Sequence, residues 1–323
     1  MKPSHLAALL ALVALLAALS LMAGKVWAPF DAWFASDDPR SVIIFQLRLP
    51  RTLLAMLVGA ALAMSGAALQ GYTRNPLADP GVLGVSVMAA LGAVLTLYFG
   101  VSNVTPWMLP VAAIFGAVIG VMLLLALTGS TSNVITFVLV GVILQSIGGS
   151  AVALALSLAP NPWATQEIFD WLLGSLTDRS IDDVWFAAPF IAVGGALLLG
   201  TRHALDALSL GEASAASLGV DLKRTQLMLA LGVGLATGAS VAVTGVIGFV
   251  GLVVPHLLRP LTGSEPGKLL IPSAIGGAAL VLAADILVRL TPSATEVKLG
   301  VALSALGGPF FLAMLLDMRR RIA

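Results

Sequence analysis

The sequence predicts an all-α polytopic membrane protein, and two features of its composition support this fold class. Of its 323 residues, 59% are hydrophobic and only 10% carry a charge. Because each charge costs a few kcal/mol at the bilayer centre, such sparse charge places most of the chain in lipid. The apolar runs are much longer than the strands of a membrane barrel, so helices must satisfy the backbone there. We expect a single transmembrane domain over residues 1–323.

Ten apolar segments come near the length of about 20 residues that a membrane-spanning helix needs. They cover residues 6–23, 52–71, 80–99, 106–128, 134–158, 184–201, 225–244, 246–261, 269–290 and 299–316. The first could instead be a signal peptide, since Lys2 precedes it and residues 18–20 resemble a cleavage site. Its apolar run is long, however, and we expect it to be retained. Gly245 and Gly248 mark the turn before the short eighth span.

Ten spans place both termini on the same side of the membrane. The tail arginines 319–321 indicate that this side is cytoplasmic, because Lys and Arg concentrate in cytoplasmic segments. The polar segment 202–224, which interrupts the apolar sequence between the sixth and seventh spans, then also faces the cytoplasm.

Segment 202–224 carries the signals of a short helix on the membrane surface. Ser209 and Glu212 have the S-x-x-E spacing of a capping box, and Gly219 is suited to the left-handed conformation that ends a helix. The pattern predicts one capped helix of about two to three turns. Such a helix is either an ordinary interfacial element or a docking site for a cytoplasmic partner.

Composition and spacing disfavour several kinds of chemistry. The chain has no cysteine, which excludes disulfides and thiolate metal sites, and its net charge of +1 comes with no basic stripe for nucleic acid. His203 and His256 have no companions at metal-ligand spacing, so we expect no metal site. Residues 263–269 resemble a phosphate loop but are one residue too short for a Walker A motif, so this chain is not expected to hydrolyse ATP.

A few charged residues at the predicted membrane boundaries call for separate interpretation. Asp285 lies inside the ninth span, and Arg289 follows on the same helix face, which favours mutual neutralisation over a proton or ion site. Arg48 and Arg51 precede the second span on the predicted outer side, and Arg289 lies on the same side at the end of the ninth span. These arginines contact either lipid headgroups or an acidic surface of a partner. The Pro/Gly-rich link 75–86 is either a gate or a rigid turn.

Four stretches of the chain resemble the FecCD-type permeases, the membrane subunits of type II ABC importers for cobalamin, ferric siderophores and haem. They are Arg48-Leu-Pro-Arg51, residues 59–86, residues 210–219 with their Leu-Gly-Glu and Ser-Leu-Gly strings, and residues 245–259. The tail at 307–311 also fits, and the likeness extends from residue 40 to residue 316. The loops at 264–266 and 296–300 depart from the family pattern, which leaves their local structure open.

The resemblance implies the type II ABC importer transmembrane fold, with ten helices per subunit in a homodimer around a translocation path. Two cytoplasmic ATPase subunits, which bind ATP and Mg, would dock on the coupling helix in segment 202–224, and a periplasmic binding protein would dock outside. No cofactor is expected in this chain. The implied coupling residues are Leu208, Ser209, Leu210, Gly211, Glu212, Ala213, Ala216 and Gly219. The implied docking residues are Arg48, Arg51 and Arg289, and the implied gate residues are Asn75, Leu77, Ser130 and Thr131.

These observations lead to one leading hypothesis and two competitors. The leading hypothesis is a permease of the bacterial inner membrane that imports a metal chelate, with ferric siderophore first because it is the family's commonest cargo, and with cobalamin and haem open. Whether the dimer is formed by two copies or by a paralogue is also open. The first competitor is an ion-coupled secondary transporter that uses Asp285. The second is an intramembrane enzyme, for which no second acid or Ser/His pair is evident.

Overall fold

The computed structural model describes residues 1–27, 39–101, 104–105, 107–129, 133–292 and 296–322, and this part of the chain forms helices without strands. The helices are α1 (Pro3–Met22), α2 (Pro39–Val42), a π-helical turn (Ile43–Arg48), α3 (Leu49–Thr73), α4 (Val85–Tyr98), α5 (Met108–Thr128), α6 (Val134–Ser157), α7 (Pro162–Leu172), α8 (Ile181–Gly200), α9 (Arg202–Leu208), α10 (Glu212–Ser217), α11 (Leu222–Thr244), α12 (Val250–Leu258), α13 (Pro266–Leu290) and α14 (Leu299–Ile322). The predicted all-α membrane fold is confirmed.

Seven helical stretches in the described part of the chain are long and apolar enough to cross a membrane. They are Pro3–Met22, Arg40–Thr73, Met108–Thr128, Val134–Ser157, Ile181–Gly200, Leu222–Thr244 and Pro266–Leu290. The other three predicted spans correspond to shorter apolar helices, at Val85–Tyr98, Val250–Thr262 and Leu299–Met314. The count of ten spans therefore stays a prediction.

The second predicted span begins earlier than its apolar residues indicate. Helix continues from Arg40 through the π-helical turn into α3, so that Arg48 and Arg51 lie inside the helix and not in a flanking loop. Both side chains are buried, which explains how two cations are accommodated here. Hydropathy alone cannot reveal this, because it counts each arginine as a reason to end the span.

Helix α3 is the central element of the bundle. Leu54, Leu69 and Tyr72 on this helix are almost completely buried. Small residues bring its neighbours very close, since a Cβ atom added at Gly59 would collide with the backbone of Gly277 on α13. Close backbone approach of this kind is the usual way that membrane helices associate. The two ends of α3 contribute residues to the two sites described below.

The break between α11 and α12 follows the predicted turn. Gly245 has a φ of 71°, which ends α11 at Thr244, and Phe249 has a φ of 67° immediately before α12 begins. α12 has only nine residues and passes into a 3-10 turn at Arg259–Thr262. The eighth apolar segment is therefore a short helix that packs against α3 and α13 rather than a long span.

Candidate functional site

The polar segment 202–224 contains two short helices, so the predicted single capped helix is wrong. α9 ends at Leu208, and the Ser209 hydroxyl donates a hydrogen bond to the Asp206 carbonyl at 2.6 Å instead of capping the next helix. Gly211, with a φ of 100°, precedes α10, and Glu212 is the first helical residue. The S-x-x-E spacing is present, but Ser209 caps the end of α9 while Glu212 begins α10, and the positive φ of Gly211 separates them. We call residues 202–219, which contain α9, α10 and the link between them, the coupling segment.

The end of the coupling segment matches the prediction. Gly219 adopts a φ of 85°, and its N–H donates to the Ala216 carbonyl at 2.9 Å. The predicted coupling residues lie along the surface of this segment, apart from Leu208, which is buried at the end of α9. Ser209, Leu210, Ala213, Ala216 and Gly219 are exposed, whereas Gly211 and Glu212 are partly exposed.

The coupling segment is firmly attached to the bundle and presents apolar side chains outward. Leu205 and Leu208 are fully buried, and the Asp206 carboxylate accepts a hydrogen bond of 2.7 Å from the Gly267 N–H at the start of α13. Leu210 and Leu218, in contrast, are each 66% exposed. A rigid element with two protruding leucines has the character of a docking surface.

The predicted gate segment begins where α3 ends, next to the coupling segment. Arg74 ends α3 in the left-handed conformation, and its guanidinium lies 3.9 Å from the Glu212 carboxylate of α10. Asn75 follows directly, and its side chain accepts a hydrogen bond of 2.9 Å from the Leu77 N–H, which fixes a tight turn. The predicted gate residues Asn75 and Leu77 therefore follow directly after the residue that approaches α10. Ser130 and Thr131 lie outside the described residues.

A buried glutamine that was not predicted from the sequence connects three elements behind the gate segment. The Gln70 side-chain amide donates to the carbonyls of Ala78 at 3.3 Å and Gly251 at 3.2 Å. Its oxygen accepts a hydrogen bond of 2.7 Å from the Arg259 guanidinium. A buried polar side chain needs such partners, so a single glutamine within an apolar span is the sequence feature from which this hydrogen-bond network could have been predicted.

An ion cluster occupies the opposite end of the bundle. The predicted pairing of Asp285 with Arg289 is confirmed at 2.9 Å, and the Asp285 carboxylate is fully buried. Arg51 of α3 contacts the same carboxylate at 2.9 Å and the Glu296 carboxylate at 3.0 Å. Glu296 also accepts a hydrogen bond of 3.0 Å from the Thr177 hydroxyl. We call Arg51, Asp285, Arg289 and Glu296 the ion cluster.

Arginines also bind the C-terminal end of α1, whose last carbonyls have no partners within the helix. Arg48 donates to the carbonyls of Leu21 at 3.0 Å and Met22 at 2.7 Å, and Arg289 donates to the Ser20 carbonyl at 2.8 Å. This anchoring favours the interpretation of α1 as a retained span. All three arginines named by the family resemblance are thus buried and engaged within the chain, and their role in docking stays a prediction.

The electrostatics of Glu296 follow from this arrangement. Partial burial raises the pKa of its carboxyl, but the hydrogen bond and positive charge of Arg51 lower it more, and the net pKa is below the ordinary value. The carboxylate therefore stays ionised at neutral pH and holds the loop before α14 against α3.

Two cavities accompany these sites. One of about 220 Å³ lies behind the gate segment and is mostly apolar, with Asp79, Ser86 and Gln145 as its polar side chains. Burial raises the pKa of Asp79, partly offset by a hydrogen bond from the Gly81 N–H. The other cavity, of about 970 Å³, adjoins the ion cluster and is lined by charged residues: Glu167, Asp170, Asp178, Glu296, Arg179 and Lys298. The acids outnumber the bases by four to two.

The sequence of this chain matches a known protein family over nearly its whole length. The sequence model of the FecCD transport family matches residues 11–317. The chain belongs to the FecCD transport family. Members of this kind are permease subunits of ABC importers and not enzymes, and ATP hydrolysis belongs to a separate subunit.

Curated relatives are similar in sequence to this FecCD permease over nearly its whole length. The vitamin B12 import system permease BtuC of Vibrio cholerae is 40% identical, covering 92% of this chain and 89% of its own. BtuC of Klebsiella pneumoniae is 37% identical, with 97% and 93% covered. The uncharacterized ABC transporter permease YvrB of Bacillus subtilis is 39% identical, with 90% and 84% covered.

Solved structures support the same fold. An inward-facing conformation of an ABC transporter assigned to the metal-chelate type superimposes with a TM-score of 0.89 at 30% identity, covering 98% of this chain and 100% of that chain. PsaBC from Streptococcus pneumoniae, solved with a Fab, superimposes with a TM-score of 0.55 at 16% identity, with 84% and 92% covered. The second similarity concerns the fold alone.

Proposed function

We propose that this FecCD permease imports a metal chelate of the cobalamin and siderophore class across the bacterial inner membrane. Two copies would form the translocation path, two cytoplasmic ATPase subunits would dock on the coupling segments, and a periplasmic protein would deliver the cargo. The observation that carries the proposal is that α9 of the coupling segment packs against the end of α3, where the predicted gate segment 75–86 begins. Glu212 of α10 faces Arg74, the residue immediately before the predicted gate residue Asn75.

Alternating access follows from this contact. When ATP binding brings the ATPase subunits together, the coupling segments move with them and favour one of two bundle conformations. Asp206 transmits the movement to α13 through its hydrogen bond to Gly267, while Glu212 transmits it to the gate segment through Arg74. Gln70 joins that segment to Arg259 and to α12, so the gate and the short helix move together.

At the opposite end of the bundle, charged side chains keep three helices together during this change. The ion cluster and Arg48 hold the ends of α1, α3 and α13 together, so these helices move as one unit. Arg51 is 11% exposed at its side chain and Glu296 is 25% exposed. An acidic residue of the periplasmic protein would therefore compete with Glu296 for Arg51, which keeps the predicted docking role compatible with burial.

The cavity beside the ion cluster bears on the identity of the cargo. Glu296 is paired with Arg51 at 3.0 Å and Asp170 with Lys298 at 3.3 Å, so Glu167 and Asp178 against Arg179 leave the lining weakly acidic. A weakly acidic lining favours neutral or cationic chelates over polyanions such as ferric tris-catecholates and haem with its two propionates. The stretch 80–166 has no charged side chain, so an amide-rich neutral molecule meets little electrostatic obstacle along it. These features favour cobalamin or a neutral hydroxamate chelate, and cobalamin is the cargo of the BtuC relatives.

The proposal is tested in lipid vesicles that contain the permease with its ATPase and binding protein. Labelled cobalamin, a neutral ferric trihydroxamate and haem are offered separately, and accumulation is measured with and without ATP. We expect ATP-dependent accumulation of a neutral chelate and no accumulation of haem. Accumulation of none of them, or of haem alone, would contradict the proposed cargo class.

The ion-coupled alternative has little support from the geometry. An ion site needs a carboxylate that can exchange its partner, whereas Asp285 is fully buried between Arg51 and Arg289, each at 2.9 Å. Charged residues within a membrane span commonly pair with one another in this way, so Asp285 has a structural role here. Uptake driven by an ion gradient alone would nevertheless reinstate this alternative.

A further inference from the structure

A second polar cavity lies beside the coupling segment and has no role in the transport scheme above. It has a volume of about 200 Å³, and its walls come from the end of α3, the α9–α10 link, the 3-10 turn after α12 and the start of α13. Its polar lining residues are Gln70, Arg74, Ser209, Arg259 and Ser264. The cavity therefore lies between the coupling segment and the ends of α3, α12 and α13.

The lining of this cavity is cationic without a matching anion. Two arginines face it, and none of the described residues that line it is acidic. Arg259 donates to the Gln70 oxygen at 2.7 Å, but its buried Nε atom has no hydrogen-bond partner, and it forms no ion pair with any described carboxylate. Arg259 is half-buried, so an opposite charge in the cavity would offset the hydration that its guanidinium has lost.

The nearby acids of the chain do not supply that anion. Glu265 is paired with Lys268 at 2.8 Å, and Asp206 accepts the Gly267 N–H at 2.7 Å. Glu212 approaches Arg74 only to 3.9 Å, at the outer limit of an ion pair. None of these acids forms an ion pair with Arg259, so its guanidinium is free to pair with a carboxylate from another molecule.

The position of the cavity indicates which molecule this is. Ser209 and Ser264 line it from exposed links between helices and not from the membrane-spanning stretches. Leu210, which is next to Ser209, and Leu218 are each 66% exposed on the same coupling segment. A protein that covers Leu210 also reaches the cavity, because the adjacent Ser209 lines it. A phospholipid headgroup would instead approach from between the spans.

We propose that the cavity receives a carboxylate side chain, Asp or Glu, from the ATPase subunit that docks on the coupling segment. This inference rests on the proposed function, since it requires that an ATPase docks there. Leu210 and Leu218 act as the apolar anchors of the interface, and the carboxylate pairs with Arg259 in the planar geometry that a guanidinium favours. Arg259 donates a hydrogen bond to Gln70, which in turn donates to the Ala78 carbonyl. A carboxylate in the cavity is therefore connected to the gate segment through Gln70.

The test supplies the missing anion from within the permease. Ser264 has a φ of 62°, a conformation that Asp tolerates, so Ser264→Asp places a carboxylate at the cavity wall. The intact permease is reconstituted in nanodiscs of phosphatidylglycerol and phosphatidylcholine, and the affinity of its ATPase subunit is measured. We expect Ser264→Asp to weaken ATPase binding by about tenfold or more, since it competes with the partner's carboxylate. Its thermal midpoint should equal or exceed that of the wild type.

Two further variants serve as controls. Lys2→Gln makes the same change of one unit in net charge at the distant N-terminus, and its affinity should match that of the wild type. Arg259→Gln should weaken binding as Ser264→Asp does, and Arg259→Lys should restore part of it. Folding of both is checked by thermal midpoint, and Ser264→Asp decides the question if Arg259→Gln does not fold.

Each result has a defined meaning. Unchanged ATPase affinity in Ser264→Asp would overturn the proposal. If native mass spectrometry also showed that this variant loses a bound phosphatidylglycerol, the anion would be a lipid headgroup and the proposal would be wrong. If the wild type bound no ATPase at all, the proposed function itself would fail together with this inference. Weakened binding in Ser264→Asp with normal binding in Lys2→Gln would support it.

Discussion

Asp285 offers the sharpest test of how the permease is held together at its outer end. Its fully buried carboxylate lies between two guanidiniums, 2.9 Å from Arg51 and 2.9 Å from Arg289. Asp285→Asn keeps the shape of the side chain but removes the charge, which leaves Glu296 as the only acid of the ion cluster. Breaking a buried ion pair from one side costs about 3–5 kcal/mol, because the remaining charge is left uncompensated. We expect a loss of this size in the free energy of unfolding.

The measurement is equilibrium unfolding of the purified permease in mixed micelles, followed by tryptophan fluorescence as the denaturing detergent is increased. Asp182→Asn is the matched control, because Asp182 is an exposed acid in the first turn of α8, where a charge contributes less than about 1 kcal/mol. Asp285→Asn combined with Arg289→Gln removes both members of one pair. We expect this double variant to be more stable than the sum of the two single losses predicts, by about 1–3 kcal/mol.

Two results would refute the reasoning about the ion cluster. The first is a loss below about 1 kcal/mol for Asp285→Asn, which would mean that the carboxylate carries little of the packing energy. The second is strict additivity in the double variant, which would mean that the two residues act independently.

Three further predictions concern the gate, the ion cluster and the helix contacts. Gln70→Leu should lower the free energy of unfolding by about 1–3 kcal/mol, because it leaves the Arg259 donor and two carbonyls unsatisfied, whereas Gln46→Leu on an exposed face should change it little. Because the pKa of Glu296 is lowered, its stabilisation is present above its unfolded pKa and is lost as pH falls through the folded value. The stability difference between the wild type and Glu296→Gln should therefore be full at neutral pH and vanish in acid. Gly277→Ala should cost about 1–3 kcal/mol, measured by detergent unfolding, since its Cβ would collide with α3, whereas Gly149→Ala, which meets open space, should be tolerated.

The parts of the fold that were predictable are those that depend on local composition. Long apolar runs mark the spans, and the i, i+4 spacing of Asp285 and Arg289 is sufficient to predict their ion pair. The conformation of Gly219 follows from the absence of a Cβ atom at the end of a helix. These properties need no knowledge of distant parts of the chain.

The parts that were not predictable depend on tertiary packing. Arg51 is separated from Asp285 by 234 positions, so only the packing of α3 on α13 brings them together. The same packing buries Arg48 and extends the second span back to Arg40. The capping-box prediction is wrong for a local reason, because Gly211 adopts a positive φ between Ser209 and Glu212. In each case the environment of the residue is set by a partner helix or a turn and not by hydropathy.

The central claim is that partner ATPases drive this permease through the coupling segment, and the energy source of transport tests it most directly. Purified permease is placed in vesicles either with its ATPase and binding protein or alone, and uptake of the chelate is measured with ATP or with an imposed proton or sodium gradient. We predict uptake only when the ATPase and ATP are both present. Uptake by the permease alone, driven by an ion gradient, would contradict the account.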